Sequence, residues 1–133
     1  MEKEFIPFEQ ALALKELGFD EPCFVQYKKY DGGEATLDIG FSKNEIIMQF
    51  HKLSKFCSAP LYQQAFRWFR EKHELHSHVR ESYAFDNTLE FVTQINGSYV
   101  NHGIADKPIN RFETYEEAEL ECLKKLIEIV KEK

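Results

Sequence analysis

Three times along this chain an aromatic residue, two polar residues and an alanine follow one another: Phe8-Glu9-Gln10-Ala11, Tyr62-Gln63-Gln64-Ala65 and Tyr115-Glu116-Glu117-Ala118. An aromatic ring and an alanine three positions apart share one helix face, so the ring can cover a sheet while the alanine admits close approach. Each phrase opens an apolar pattern of helical period, and the stretches between them alternate as strands do. Helices interleaved with sequential antiparallel strands imply an α+β fold with the helices covering one face of a sheet. An internal strand-strand-helix duplication would account for the phrase. So would a shared idiom for starting a helix.

Local punctuation sets the helix limits. Gly18 follows the first segment, Phe8 to Leu17, where a helix ends in a left-handed residue, and Phe19 can fold back on the last turn. Pro60 opens the second, which runs to His73, at a position where its missing N–H costs nothing. Thr114 and Glu117 have capping-box spacing before the third, Tyr115 to about Val130. Between the first two helices, Phe24–Tyr27 and Thr36–Phe41 flank Asp31-Gly32-Gly33 as a hairpin, and Glu45–Phe50 fits strand and helix equally. Residues 51–59 read as loop. Later, Ser77–Tyr83, Thr88–Ile95 and Ser98–His102 read as strands, with Asn96-Gly97 turning the last pair and Asp106-Lys107-Pro108 breaking the chain. The expected order is α-β-β-(β?)-α-β-β-β-α.

With 133 residues, 43% of them apolar, the chain is expected to form one domain spanning 1–133, since no Pro-, Ser- or Gly-rich linker divides it. No apolar run reaches a membrane span of about 18 residues. The charged start Met1–Glu4 leads into no secretory signal. Cys23, Cys57 and Cys122 are odd in number and far apart, which argues for a reduced, intracellular compartment. The net charge of −6 disfavours duplex DNA, although residues 51–80 carry six Lys and Arg against two acids.

Three segments, EFIPFEQALALKELGFDEPC from Glu4, APLYQQAFRWFREKHEL from Ala59 and RFETYEEAELECLKKLIEIVKEK from Arg111, resemble a family of small proteins of bacteriophages and prophages, notably those of Bacteroidota. They cover a little under half of the chain, and the intervening segments show no such likeness. The resemblance implies a phage-borne accessory protein acting in a bacterial host cytoplasm, without an assigned activity, so it transfers no catalytic residue and no cofactor.

Nothing in the residues themselves points to catalysis. Glycine-rich phosphate loops are absent. Cys57, beside Ser58, is the one cysteine expected at the surface, but no base stands at a recognisable spacing from it, and Cys122 falls among core positions of the third helix. His73, His76 and His78 are the densest group of metal-capable side chains. Three imidazoles can hold zinc, yet no carboxylate or cysteine accompanies them, and a solvent-facing His run is the simpler reading.

The second helix offers the most informative surface. On a wheel of ~100° per residue, Tyr62, Ala65, Phe66 and Phe69 form the expected buried stripe, with Trp68 ~110° from its centre. A boundary Trp68 near Arg67, Arg70 and Lys72 would stack on a ligand or anchor a partner; the plainer reading is a Trp covering the core edge. The third helix carries an apolar arc of roughly 200°, where little over 100° suffices for one contact. Leu120 and Ile127, with Leu14 and Leu17 of the first helix, are the surplus. Mutual packing of the two helices would absorb it, and self-association is the alternative.

These features rank an interaction module, binding a host protein or itself, above a small-anion or nucleotide binder. Single-stranded nucleic acid comes third, on a stacking surface of Tyr27, Tyr30 and Tyr83 near Lys28, Lys29 and Arg80.

Overall fold

A computed structural model of the chain describes residues 2–30, 33–39, 53–97 and 111–132. Three α-helices and two antiparallel sheets of three strands each make up these residues, an α+β fold. They form two compact units, Met1–Leu61 and Tyr62–Lys133, which part at the start of the second helix. Glu45–Phe50, Ser98–His102 and the Asp106-Lys107-Pro108 break lie outside the described residues.

The first unit contains a short 3-10 turn (Glu2–Glu4), helix α1 (Phe8–Glu16) and strands β1 (Val25–Tyr30), β2 (Thr36–Ile39) and β3 (Leu53–Ser58). Gly18 has φ +98°; its N–H donates to Lys15 O at 3.1 Å, and Phe19 N–H reaches Leu14 O at 2.9 Å. That pair of bonds is a Schellman ending, with Phe19 buried against the helix it terminates. The sheet runs β2-β1-β3, and Tyr27 faces Leu37 on one side and Cys57 on the other. Val25, Tyr27 and Cys57 are buried on the face that α1 covers, where Phe8 meets the Tyr27 ring edge-on at 5.5 Å.

Strand β3 departs from the sequence expectation of a loop at 51–59. Leu53–Ser58 holds no β-branched residue, so its strand character comes from pairing with β1 over five positions, not from propensity. The chain before α1 closes the unit: Phe5 bridges Leu61, Ile6 N–H donates to Pro60 O at 3.0 Å, and the Tyr27 hydroxyl donates to Ile6 O at 2.7 Å.

The second unit comprises α2 (Tyr62–His73), β4 (His76–Tyr83), β5 (Leu89–Asn96), β6 (Arg111–Phe112) and α3 (Tyr115–Lys131). Its sheet runs β4-β5-β6, with the second strand central; in the first unit the first strand is central. The described strands therefore do not repeat one winding. Thr114 caps α3, its Oγ1 accepting from Glu117 N–H at 3.2 Å. α3 packs on all three strands and also against α2. This double contact absorbs its wide apolar arc: Ala118, Cys122, Leu123, Leu126 and Ile127 are all buried.

The buried face of α2 differs from the expected stripe. Tyr62, Ala65, Trp68 and Phe69 are buried, while Phe66 is only half-buried. The stripe is rotated by ~40° on the wheel toward Trp68. The indole meets two rings of its own helix edge-on, Phe69 at 5.0 Å and His73 at 4.8 Å. After α2, Glu74 adopts φ +54°, a left-handed residue that turns the chain into β4 with Leu75 fully buried behind it.

Candidate functional site

α2 turns Gln63, Phe66 and Arg70, spaced three and four residues apart, onto one face. Opposite them run Ser77, His78 and Val79 of β4, which is an edge strand among the described residues, and Tyr115 and Cys122 of α3 close the end. Together these residues enclose an open cleft of about 330 Å³. Its floor is apolar, made by Phe66, Val79 and the buried Cys122. Its walls carry a guanidinium, a carboxamide and a phenol, while His78 contributes backbone, its ring alternating to the other face of β4.

Electrostatics in the cleft follow from burial. The Cys122 thiol is pushed up to about 11, burial outweighing the hydrogen bond with Ser77 that pulls it down, with Glu119 adding a further rise. At neutral pH it stays protonated, which removes it as a nucleophile. Tyr115 is raised by burial and then by Glu119 and Cys122; Glu119 is raised by burial and by Glu116. Among the described residues no ion pair or hydrogen bond engages Arg70.

A second feature lies at the tip of the β4–β5 hairpin. Ala84 N–H donates to Thr88 O at 3.0 Å and Asn87 N–H to Ala84 O at 2.9 Å, with Asn87 left-handed at φ +64°. Thr88 N–H donates to an Asp86 carboxylate oxygen at 3.1 Å. This is a three-residue hairpin loop whose chemistry is supplied by Asp86 and Asn87. Phe85 takes no part in it and is fully exposed. Tyr83 and Leu89 pair across the strands on the face α3 covers further along, yet they are 65% and 41% exposed. The cover ends at Tyr115, whose ring meets Phe91 edge-on at 5.8 Å and is itself 45% exposed. Of the five large hydrophobic residues exposed among those described, three sit at this hairpin tip; the others are Tyr115 on α3 and Phe24 in the first unit.

The residues singled out from sequence fall in several places. Arg70 lines the cleft; Arg67 and Lys72 are exposed on α2 but do not line it. Trp68, expected at the boundary, is 3% exposed because the stripe rotates toward it, so it presents no stacking face. His73 is turned onto Trp68 and Phe69 while His76 and His78 are exposed, and no group of three metal-capable side chains forms among the described residues. Leu14 and Ile127, expected as surplus, are buried within the chain; Leu17 and Leu120 are half-buried. Cys57, expected at the surface, is buried against α1, and burial pushes its thiol up to about 11 despite Lys15. Tyr27 is likewise buried, facing α1 and not solvent, whereas Tyr83 and Arg80 are exposed.

Sequence reasoning missed Gln63, Ser77, Val79 and Tyr115 as cleft residues and Phe85 as an exposed ring. Phe85 had a signal: an aromatic at the centre of Tyr83-Ala84-Phe85-Asp86-Asn87 occupies a turn that asks for none. No helix among the described residues is long and apolar enough to cross a membrane. No protein-family model, curated protein or solved structure matches the chain.

Proposed function

We propose that this protein is a non-enzymatic interaction module, a phage-type accessory protein of a bacterial cytoplasm that grips another protein surface with its β4–β5 hairpin tip. The observation that carries the reading is Phe85, fully exposed at the apex and flanked by the exposed Tyr83 and Leu89. The turn needs only Asp86 and Asn87 for its geometry, so the ring has no folding role there. Burying one such side chain in a partner contributes about 1.5–3 kcal/mol, and aromatic anchors dominate protein interfaces. The two buried thiols whose pKa values are raised support the non-enzymatic half of the reading, because neither is available as a nucleophile at neutral pH.

The test is a Tyr83→Ser/Phe85→Ser double variant. Both positions are exposed, so the far-UV spectrum and melting temperature should stay within error of wild type. Sedimentation and chemical crosslinking through surface lysines then compare the two proteins, alone and in host extract. Loss of a discrete crosslinked species in the variant supports the reading. Identical sedimentation together with the same crosslinked species in both proteins would remove it.

A further inference from the structure

We infer that the cleft between α2, β4 and α3 binds a small organic anion carrying a flat apolar body. This is a ligand site separate from the hairpin tip and independent of the reading above. Three observations converge on that class. The cleft volume of about 330 Å³ lies at the small end of ligand pockets, roughly 300–1,000 Å³, which suits one ring and one anionic group and excludes a dinucleotide. Arg70 projects into it from an exposed helix face, and among the described residues no carboxylate pairs with its planar fork of donors. Phe66 lies one turn before Arg70 on the same face, only half-buried, so ring and guanidinium are offered to one ligand side by side.

The lining also fixes the ligand's direction. Glu119 acts electrostatically on Tyr115 and Cys122, at the α3 end of the cleft. An anionic group is repelled there and drawn to the Arg70 side, which leaves the flat body over Phe66 with its far edge toward Tyr115. Carboxylate and phosphate present the same oxygen acceptors to a guanidinium, and both accept its bidentate geometry.

Isothermal titration of the intact chain with benzoate, phenyl phosphate, benzyl alcohol and inorganic phosphate tests the assignment. Saturable binding of benzoate or phenyl phosphate is expected, and which of the two binds more tightly identifies the anionic group. Benzyl alcohol, lacking the charge, and inorganic phosphate, lacking the ring, should each bind at least about tenfold more weakly, the size of one charge-assisted hydrogen-bond set or one stacked ring. Arg70→Gln should weaken the aromatic anion by about tenfold or more at an unchanged melting temperature, and Glu119→Gln should tighten it. If Arg70→Gln is misfolded, Arg70→Met replaces it with the same expectation. No saturable binding of either aromatic anion at 10 mM, or equal affinity in wild type and the Arg70→Gln or Arg70→Met variant, overturns the inference. The Tyr83→Ser/Phe85→Ser variant should bind the aromatic anion as wild type does, so failure of one site is distinguishable from failure of the other.

Discussion

Replacing Trp68 with alanine is the most decisive perturbation of α2. The side chain is 3% exposed and wedged edge-on between Phe69 and His73. A Trp buries roughly 150–250 Å², and at about 25 cal/mol/Å² its transfer is worth about 4–6 kcal/mol. Measured aromatic truncations in cores cost about 3–5 kcal/mol, so about 4 kcal/mol is the expected loss. With a urea m-value of about 2 kcal/mol/M, the midpoint should fall by about 2 M. The neighbours provide internal controls. Arg67→Ala, on the exposed face, should cost no more than about 0.5 kcal/mol, and half-buried Phe66→Ala an intermediate amount. Since Trp68 is the only tryptophan, wild-type emission reports this site alone: it should be blue-shifted and poorly quenched by acrylamide. Variant stability is followed by far-UV circular dichroism. A midpoint drop below about 0.5 M, or quenching equal to that of free indole, would refute the burial argument.

Three further outcomes are expected. Cys57 and Cys122 both rise from 9.0 to about 11 through burial, so between those values the unfolded chain releases protons that the folded chain keeps. Stability from each thiol is full below pH 9 and is lost as pH rises toward 11, by up to about 2–3 kcal/mol each; chemical denaturation across that window should show the decline, flattened in Cys122→Ala. Gly18→Ala meets no atom within 4 Å of its new Cβ but must hold φ +98°, so urea melts should register a loss of about 1–2 kcal/mol from backbone strain alone. Thr114→Ala removes the α3 cap and should cost about 1 kcal/mol in the same assay, with Thr114→Ser largely restoring it.

Helix ends were legible because their chemistry is local: Thr114 and Gly18 announce a start and a stop within four residues of chain. The hairpin of β1 and β2 and the strand identities of β4 and β5 followed from alternation. β3 was not legible, since Leu53–Ser58 becomes a strand only by lying beside β1. The buried face of α2 was ambiguous for a different reason. Tyr62, Phe66, Trp68 and Phe69 offer two overlapping apolar faces, and packing, not periodicity, selects the one that contains Trp68. The cleft draws residues from three elements, Gln63 and Cys122 lying nearly sixty residues apart, so no spacing rule could assemble it; of its lining, Arg70 alone was singled out as a ligand contact, Phe66 and Cys122 having been read as core and His78 as a metal candidate. The hairpin tip was readable in principle from an aromatic in a polar turn.

The bridge between Phe5 and Leu61 has a consequence for how the first unit can be handled. Strand partners of this kind stand about 5 Å apart, so the start and the finish of that unit are held together as if by a clasp. The unit is in effect a closed ring of chain with one seam. A circular permutant that joins residues 5 and 61 through a few glycines, with new termini elsewhere on its surface, keeps every strand pairing of β2-β1-β3. Conversely, deleting residues 1–6 removes the 3-10 turn, leaves α1 and the three strands, and unlocks the seam. It takes away the carbonyl that receives the Tyr27 hydroxyl and the partner of Pro60 O at one stroke.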